Sequence, residues 1–152
     1  MNGVRRFLAL SPLRRRLLLE TVALVLVCRL GLALASVGTT ARLLGPAVPV
    51  LSRLHPRSSA SLADLTWAVE TAETLAGGTG TCLEAALVGD RLLDAHGYDS
   101  TLRIGVAKDE RGTFEAHAWL ERDDRVVVGD LADLSRFQPL PIETVDRLAD
   151  NR

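Results

Sequence analysis

The sequence predicts an α+β fold, with amino-terminal helices, a central helix and a small antiparallel sheet that follows it. Two observations indicate this order of elements. Apolar residues recur at helical spacing in the segments before residue 97, and they alternate with period two after residue 101. Short polar links divide the alternating region into three predicted strands, over 102–107, 114–121 and 125–130.

We expect one domain over residues 1–152, because a chain of 152 residues fits a single core. It divides into a helical amino-terminal region at 1–57, a core that carries the site at 58–138, and a short carboxy-terminal segment at 139–152. The formal net charge of −1 argues against a general nucleic-acid binder.

A long apolar helix is predicted over 12–36, with Ser11 as its N-cap and Pro12 in its first turn. Glu20 and Arg29 interrupt the apolar run. A charge in the middle of a membrane costs roughly 2.5–3.5 kcal/mol, which counts against a span or a secretory signal. A helix packed in the core or on a partner is the favoured interpretation. Peripheral contact with a membrane is the alternative, since a basic arm precedes the helix.

Two further helices are predicted over 61–76 and 82–96, and Gly97 is suited to end the second. The only two cysteines of the chain fall in different helices. Cys28 lies inside the first apolar run and is predicted to be a small buried hydrophobe.

Cys82 lies in a different setting, at the start of a helix that follows a glycine-rich loop. Thr81 and Glu84 fit a capping box, which makes Cys82 the first helical residue. The positive end of a helix favours a thiolate, and its free N–H groups can receive an oxyanion. Gly80 would let a substrate backbone approach closely. A structural cysteine is the alternative interpretation.

The second hairpin predicts a partner for a histidine. If Asp123–Asp124 is a two-residue loop, Arg122 faces Arg125 and paired residue numbers sum to 247. His117 then lies opposite Asp130, since 247 − 117 = 130. Directly opposed side chains have Cβ atoms about 4.5–5.5 Å apart, so the carboxylate would orient the imidazole.

Cys82, His117 and Asp130 together supply a nucleophile, a base and a group that orients the base. Taken singly, the histidine can be structural and the aspartate can simply end its strand. The three histidines of the chain show no ligand spacing, so no metal site and no cofactor are expected.

Three segments carry a family resemblance. Cys82-Leu83-x-x-Ala86, then Leu102 to Val106, then the block Phe114 to Glu121 (FEAHAWLE) resemble the transglutaminase-like leader peptidases of lasso peptide biosynthesis, the carboxy-terminal part of the maturation B protein. The resemblance implies a transglutaminase-like/papain-like cysteine protease fold.

The resemblance also implies the site residues. The catalytic cysteine and histidine match Cys82 and His117, and the third member falls at Asp130, with Asp133 as the alternative. No Gln or Asn lies between residue 3 and Cys82, so backbone N–H groups and a threonine hydroxyl must bind the oxyanion. The residues expected near the oxyanion or the substrate are Gly80, Thr81 (or Thr79) and Trp119.

The function implied is removal of the leader from a ribosomally made precursor peptide in the bacterial cytoplasm. A separate small leader-recognition protein and the lasso cyclase are the implied partners. Two alternatives remain: a transglutaminase-like acyl transferase or amidase, and an inactive peptide-binding scaffold.

Overall fold

The computed structural model describes residues 5, 7–35, 39–40, 44, 60–76 and 82–141. Within these ranges, three long helices precede a four-stranded sheet, which confirms the predicted α+β class. The elements are α1 (Pro12–Leu34), α2 (Leu62–Leu75), α3 (Cys82–Ala95), β1 (Thr101–Lys108), β2 (Phe114–Arg122), β3 (Arg125–Val128), a 3₁₀ turn (Leu134–Arg136) and β4 (Gln138–Pro139).

The helix starts follow the capping residues in the sequence. The Ser11 hydroxyl accepts a hydrogen bond from the backbone N–H of Arg14 at 3.3 Å, and Pro12 occupies the first helical position of α1. At α2, the Ser61 hydroxyl accepts from the N–H of Asp64 at 3.2 Å. Both side chains satisfy donors that the helix itself leaves free.

The main core lies between the three helices and one face of the sheet. Its aliphatic side chains come from every layer: Leu17, Leu24 and Val25 of α1, Leu65 and Val69 of α2, Val88, Leu92 and Leu93 of α3, and Ala118, Leu120 and Val128 of the sheet. Cys28 is fully buried there. Burial, helped by the carboxylates of Glu84 and Glu73, raises the pKa of its thiol to about 12. The prediction that Cys28 is a small buried hydrophobe is confirmed.

The sheet has the order β3-β2-β1-β4, and its ladders are antiparallel. Side chains alternate along β2, so Ala118 and Leu120 face the helices in the main core. Trp119 lies on the opposite face, in a second cluster with Ala107 and Phe137. Each face of β2 therefore packs against a different set of side chains.

The turn between β2 and β3 is the predicted two-residue loop. Asp123 and Asp124 have φ angles of +49° and +58°, and Arg122 pairs with Arg125. Positive φ at both positions is typical of the type I′ turn, which matches the twist of a hairpin. This part of the predicted register is confirmed.

The register then shifts by one residue. Glu121 pairs with Val126, but Leu120 pairs with Val128, so Val127 is the extra residue of a β-bulge. Val127 and Val128 both pack on the main core, because the bulge turns two consecutive side chains to one face. The β3 ladder ends at Val128.

The predicted pairing of His117 directly opposite Asp130 is therefore wrong. It required an unbroken ladder whose paired residue numbers sum to 247, whereas Leu120 and Val128 sum to 248 and no pair follows them in β3. The physical cause is the bulge at Val127. Counting pairs outward from the turn assumes that neither strand contains an extra residue.

The first helix is apolar along most of its length. Among the described residues, α1 is the one helix whose length and composition would let it cross a bilayer, a test that the core helix of a soluble protein also passes. One side of α1 is packed into the main core. This side also carries the buried acid Glu20.

A partly buried ion pair joins α1 to the other two helices. The guanidinium of Arg29 donates from Nε to Oε1 of Glu84 at 3.0 Å and from Nη1 to the backbone oxygen of Ala76 at 3.0 Å. Ala76 follows α2 and Glu84 lies in the first turn of α3, so Arg29 holds both sides of the segment 77–81. Burial, and then the nearby Glu84, raise the pKa of Glu73 beside this pair.

We predict that Arg29→Met destabilises the protein by more than the about 1 kcal/mol of an exposed pair but by less than the roughly 3–5 kcal/mol that loss of one partner of a fully buried pair costs, because the Arg29 side chain is 35% exposed. The Glu84 side chain is only 4% exposed, so its carboxylate would stay buried without the guanidinium. The measurement is the free energy of unfolding in urea.

The matched control is Arg14→Met, which removes the exposed pair between Arg14 of α1 and Asp64 of α2. Its cost should stay within about 1 kcal/mol. Equal losses for Arg29→Met and Arg14→Met would contradict the role given to the Arg29–Glu84 pair.

Candidate functional site

Cys82 is the first residue of α3, as predicted. Its side chain is half-buried, in contrast to the fully buried Cys28. The first N–H groups of a helix have no partner within the helix, so they are available to an anion at this position. Gly80 and Thr81, expected at the oxyanion site, lie outside the described residues, as does Thr79.

The imidazole of His117 is held by a backbone carbonyl. Its Nε2 lies 2.7 Å from the oxygen of Gly129. A carbonyl oxygen can only accept, so Nε2 carries the proton and donates it. In the neutral ring, Nδ1 is then the nitrogen with a free lone pair, and it is the one that can act as a base.

Two aromatic side chains pack against this imidazole. Trp119 stacks on it with ring centroids 6.1 Å apart and planes inclined by 14°, and Phe137 lies at 5.4 Å. The indole Nε1–H of Trp119 donates to Oε1 of Glu121 at 2.8 Å. This hydrogen bond, and then one from Arg103, hold the pKa of Glu121 below its ordinary value.

The role of Trp119 near the oxyanion or the substrate stays a prediction. The side chain is only 2% exposed, so it supports His117 from within the second cluster. Gly105 makes room for it: a Cβ there would lie 2.8 Å from Cη2 of the indole and 3.1 Å from Cβ of Phe137. Sequence reasoning missed Gly105, although a glycine inside a strand signals a close approach of this kind.

Neither candidate carboxylate forms a hydrogen bond with His117 in the described part of the chain. Asp130 is exposed and lies beyond the end of β3. Asp133 accepts a hydrogen bond from Nε of Arg136 at 2.6 Å. In this structure the group that orients the imidazole is the carbonyl of Gly129, one residue before Asp130. The role of Asp130 as third member of the triad stays a prediction.

Cys82 and His117 lie on different faces of the sheet. Cys82 belongs to the helix layer and packs at the border of the main core. His117 shares the opposite face of β2 with Trp119. No hydrogen bond joins the thiol to the imidazole among the described residues. The β3 ladder stops opposite Leu120, so His117 borders a part of β2 that β3 does not cover.

Comparison with known families gives the class of protein. Residues 22–141 match the family described as the transglutaminase-like superfamily. The match covers most of the chain, so this chain belongs to that superfamily, which includes cysteine proteases and acyltransferases. The fold is therefore that of a transglutaminase-like domain.

Neither the curated proteins nor the solved structures contain a match to this chain.

We predict that Gly129→Ala displaces the carbonyl from His117 and destabilises the fold. Gly129 has φ +80°, and a Cβ there would lie 2.8 Å from the backbone oxygen of Ala118. Left-handed backbone alone costs a residue with a side chain roughly 1–2 kcal/mol, and the contact with rigid backbone adds to this. The free energy of unfolding is the first readout.

Gly112→Ala is the matched control, because Gly112 has φ +81° but open space where its Cβ would stand. It should show only the backbone cost and leave His117 undisturbed. Equal losses in the free energy of unfolding for the two variants would contradict the close packing of Gly129 on β2.

Proposed function

We propose that this protein is a cysteine peptidase that removes the leader from a ribosomally made lasso precursor peptide. The observation that carries the proposal is the position of Cys82, a half-exposed thiol at the first residue of a helix in a member of this superfamily. The block around His117 supplies the resemblance to the leader peptidases, and it also supplies the base.

The chemistry follows from these two side chains. The Cys82 sulfur attacks the carbonyl carbon at the junction of leader and core, and helix N–H groups stabilise the oxyanion. The C–N bond breaks as His117 protonates the leaving amine, which becomes the new amino terminus of the core. Water then attacks the thioester while His117 takes its proton, and the leader leaves with a free carboxylate.

In this scheme, one of the two ring nitrogens of His117 is already engaged in a hydrogen bond. Its Nε2–H is bound to the Gly129 carbonyl, so Nδ1 is the atom that receives the thiol proton. Because the two side chains lie on different faces of the sheet, the scheme requires the Cys82 sulfur to reach Nδ1 around the edge of β2 that β3 leaves uncovered.

The partners of this proposal come from the family resemblance. A precursor peptide is the substrate, a separate small protein binds its leader, and a cyclase takes the new amino terminus. The reaction would take place in the bacterial cytoplasm. An acyl transferase of the same superfamily would use the same thioester but pass it to an amine, so products made with and without added amine distinguish the two.

We predict that Cys82→Ala abolishes cleavage of a candidate precursor in the presence of its recognition protein, because the variant has no nucleophile. Cys28→Ala is the matched control and should retain cleavage, since that thiol is fully buried. The measurement is mass analysis of the precursor, leader and core. Full activity of Cys82→Ala would show that Cys82 is not the nucleophile.

Thiol labelling tests the same residue without a substrate. Iodoacetamide should modify Cys82 much faster than Cys28 at neutral pH, because burial raises the pKa of the Cys28 thiol to about 12. Equal and slow labelling of both cysteines would favour an inactive scaffold.

A further inference from the structure

The outer side of α1 carries a continuous stripe of exposed aliphatic side chains. Leu19, Leu26, Leu30 and Leu34 are 59%, 57%, 60% and 78% exposed, and Val27 is 42% exposed. Their spacing of three, four and seven residues places them on one face of a helix. From Leu19 to Leu34 the stripe runs for roughly 22 Å at 1.5 Å per residue. In soluble proteins, an exposed apolar surface of this length usually marks a binding site.

The amino-terminal end of this stripe is basic. Arg15 and Arg16 precede Leu19 by four and three residues, so they lie on the same side of α1. The single acid of α1, Glu20, is turned inward and only 7% exposed. The outer side of α1 therefore combines aliphatic surface with positive charge and carries no exposed carboxylate.

We propose that the outer side of α1 binds the surface of a membrane that contains anionic lipid. Aliphatic side chains enter the boundary between headgroups and acyl chains, and the arginines at one end meet lipid phosphates. The stripe itself contains no aromatic or hydrogen-bonding side chain, whereas protein interfaces are enriched in aromatic residues and paired polar groups. Charge and composition thus both favour lipid over a protein partner.

The helix would lie on the membrane and not cross it. The inner side of α1 is already packed, with Leu17 and Leu24 at 1% and 0% exposure in the main core. Arg29, also on α1, is bound to Glu84 and Ala76. Insertion across a bilayer would break this packing and separate the Arg29–Glu84 pair, whereas surface binding leaves the domain intact.

The test is co-flotation of the full chain with vesicles of phosphatidylcholine alone or with added phosphatidylglycerol. We expect binding to the anionic vesicles that weakens as salt is raised, because salt screens the arginines. Arg15→Gln with Arg16→Gln should weaken binding by about fivefold for each arginine. Leu26→Gln with Leu30→Gln should weaken it by roughly tenfold for each leucine, as expected for lost apolar burial.

Phe114→Gln is the matched control, since Phe114 is 71% exposed but belongs to β2. It should bind vesicles like the unmodified protein, and circular dichroism should show that all variants fold. The proposal is overturned if the protein does not float with anionic vesicles, or if the leucine variants float unchanged. It is also overturned if the leucine variants instead abolish a dimer seen by light scattering, because the occupant is then a second copy of the chain. None of these outcomes depends on the proposed peptidase activity.

Discussion

The hydrogen bond from His117 to the carbonyl of Gly129 determines which nitrogen of the imidazole can act as a base. It assigns the proton to Nε2 and leaves Nδ1 as the basic atom. The carbonyl reaches the ring because Gly129 adopts a left-handed backbone that a larger residue would not tolerate against Ala118. Gly129 lies two residues after the bulge at Val127, so an irregular hairpin is what orients the base.

The helix side of the site depends on a second constraint, the pair between Arg29 and Glu84. Glu84 lies two residues after Cys82, and Ala76 lies just before the segment that leads to it. A single guanidinium of α1 therefore links the end of α2 to the start of α3. Since α1 also presents the aliphatic stripe to the outside, the helix that binds a membrane in our proposal is the one that holds the start of the nucleophile's helix.

Much of this arrangement can be predicted from local signals in the sequence. Ser11 and Ser61 mark helix starts through their caps, Cys82 begins α3, and Asp123–Asp124 forms the two-residue turn. Each of these features depends on residues that are close in the chain. Local hydrogen bonding and backbone preference are then sufficient to specify them.

The errors concern contacts that depend on distant residues. The run Val126-Val127-Val128 has no alternation of polar and apolar residues, and the bulge within it breaks the register that would pair His117 with Asp130. The burial of Trp119 depends on Gly105 of the neighbouring strand, which makes room for the indole. The partner of Glu84 comes from 55 residues earlier, and no local pattern indicates it.

The claim that Nδ1 of His117 is the basic nitrogen is tested most directly by the protonation of two histidines. Nitrogen-15 NMR of the imidazoles at neutral pH distinguishes rings protonated at Nε2 from rings protonated at Nδ1. His117 should carry its proton on Nε2, whereas His96, whose Nδ1 lies 2.8 Å from the oxygen of Leu92, should carry it on Nδ1. A His117 ring protonated at Nδ1, or averaging between both forms, would contradict the account, because the nitrogen assigned to receive the thiol proton would then be occupied.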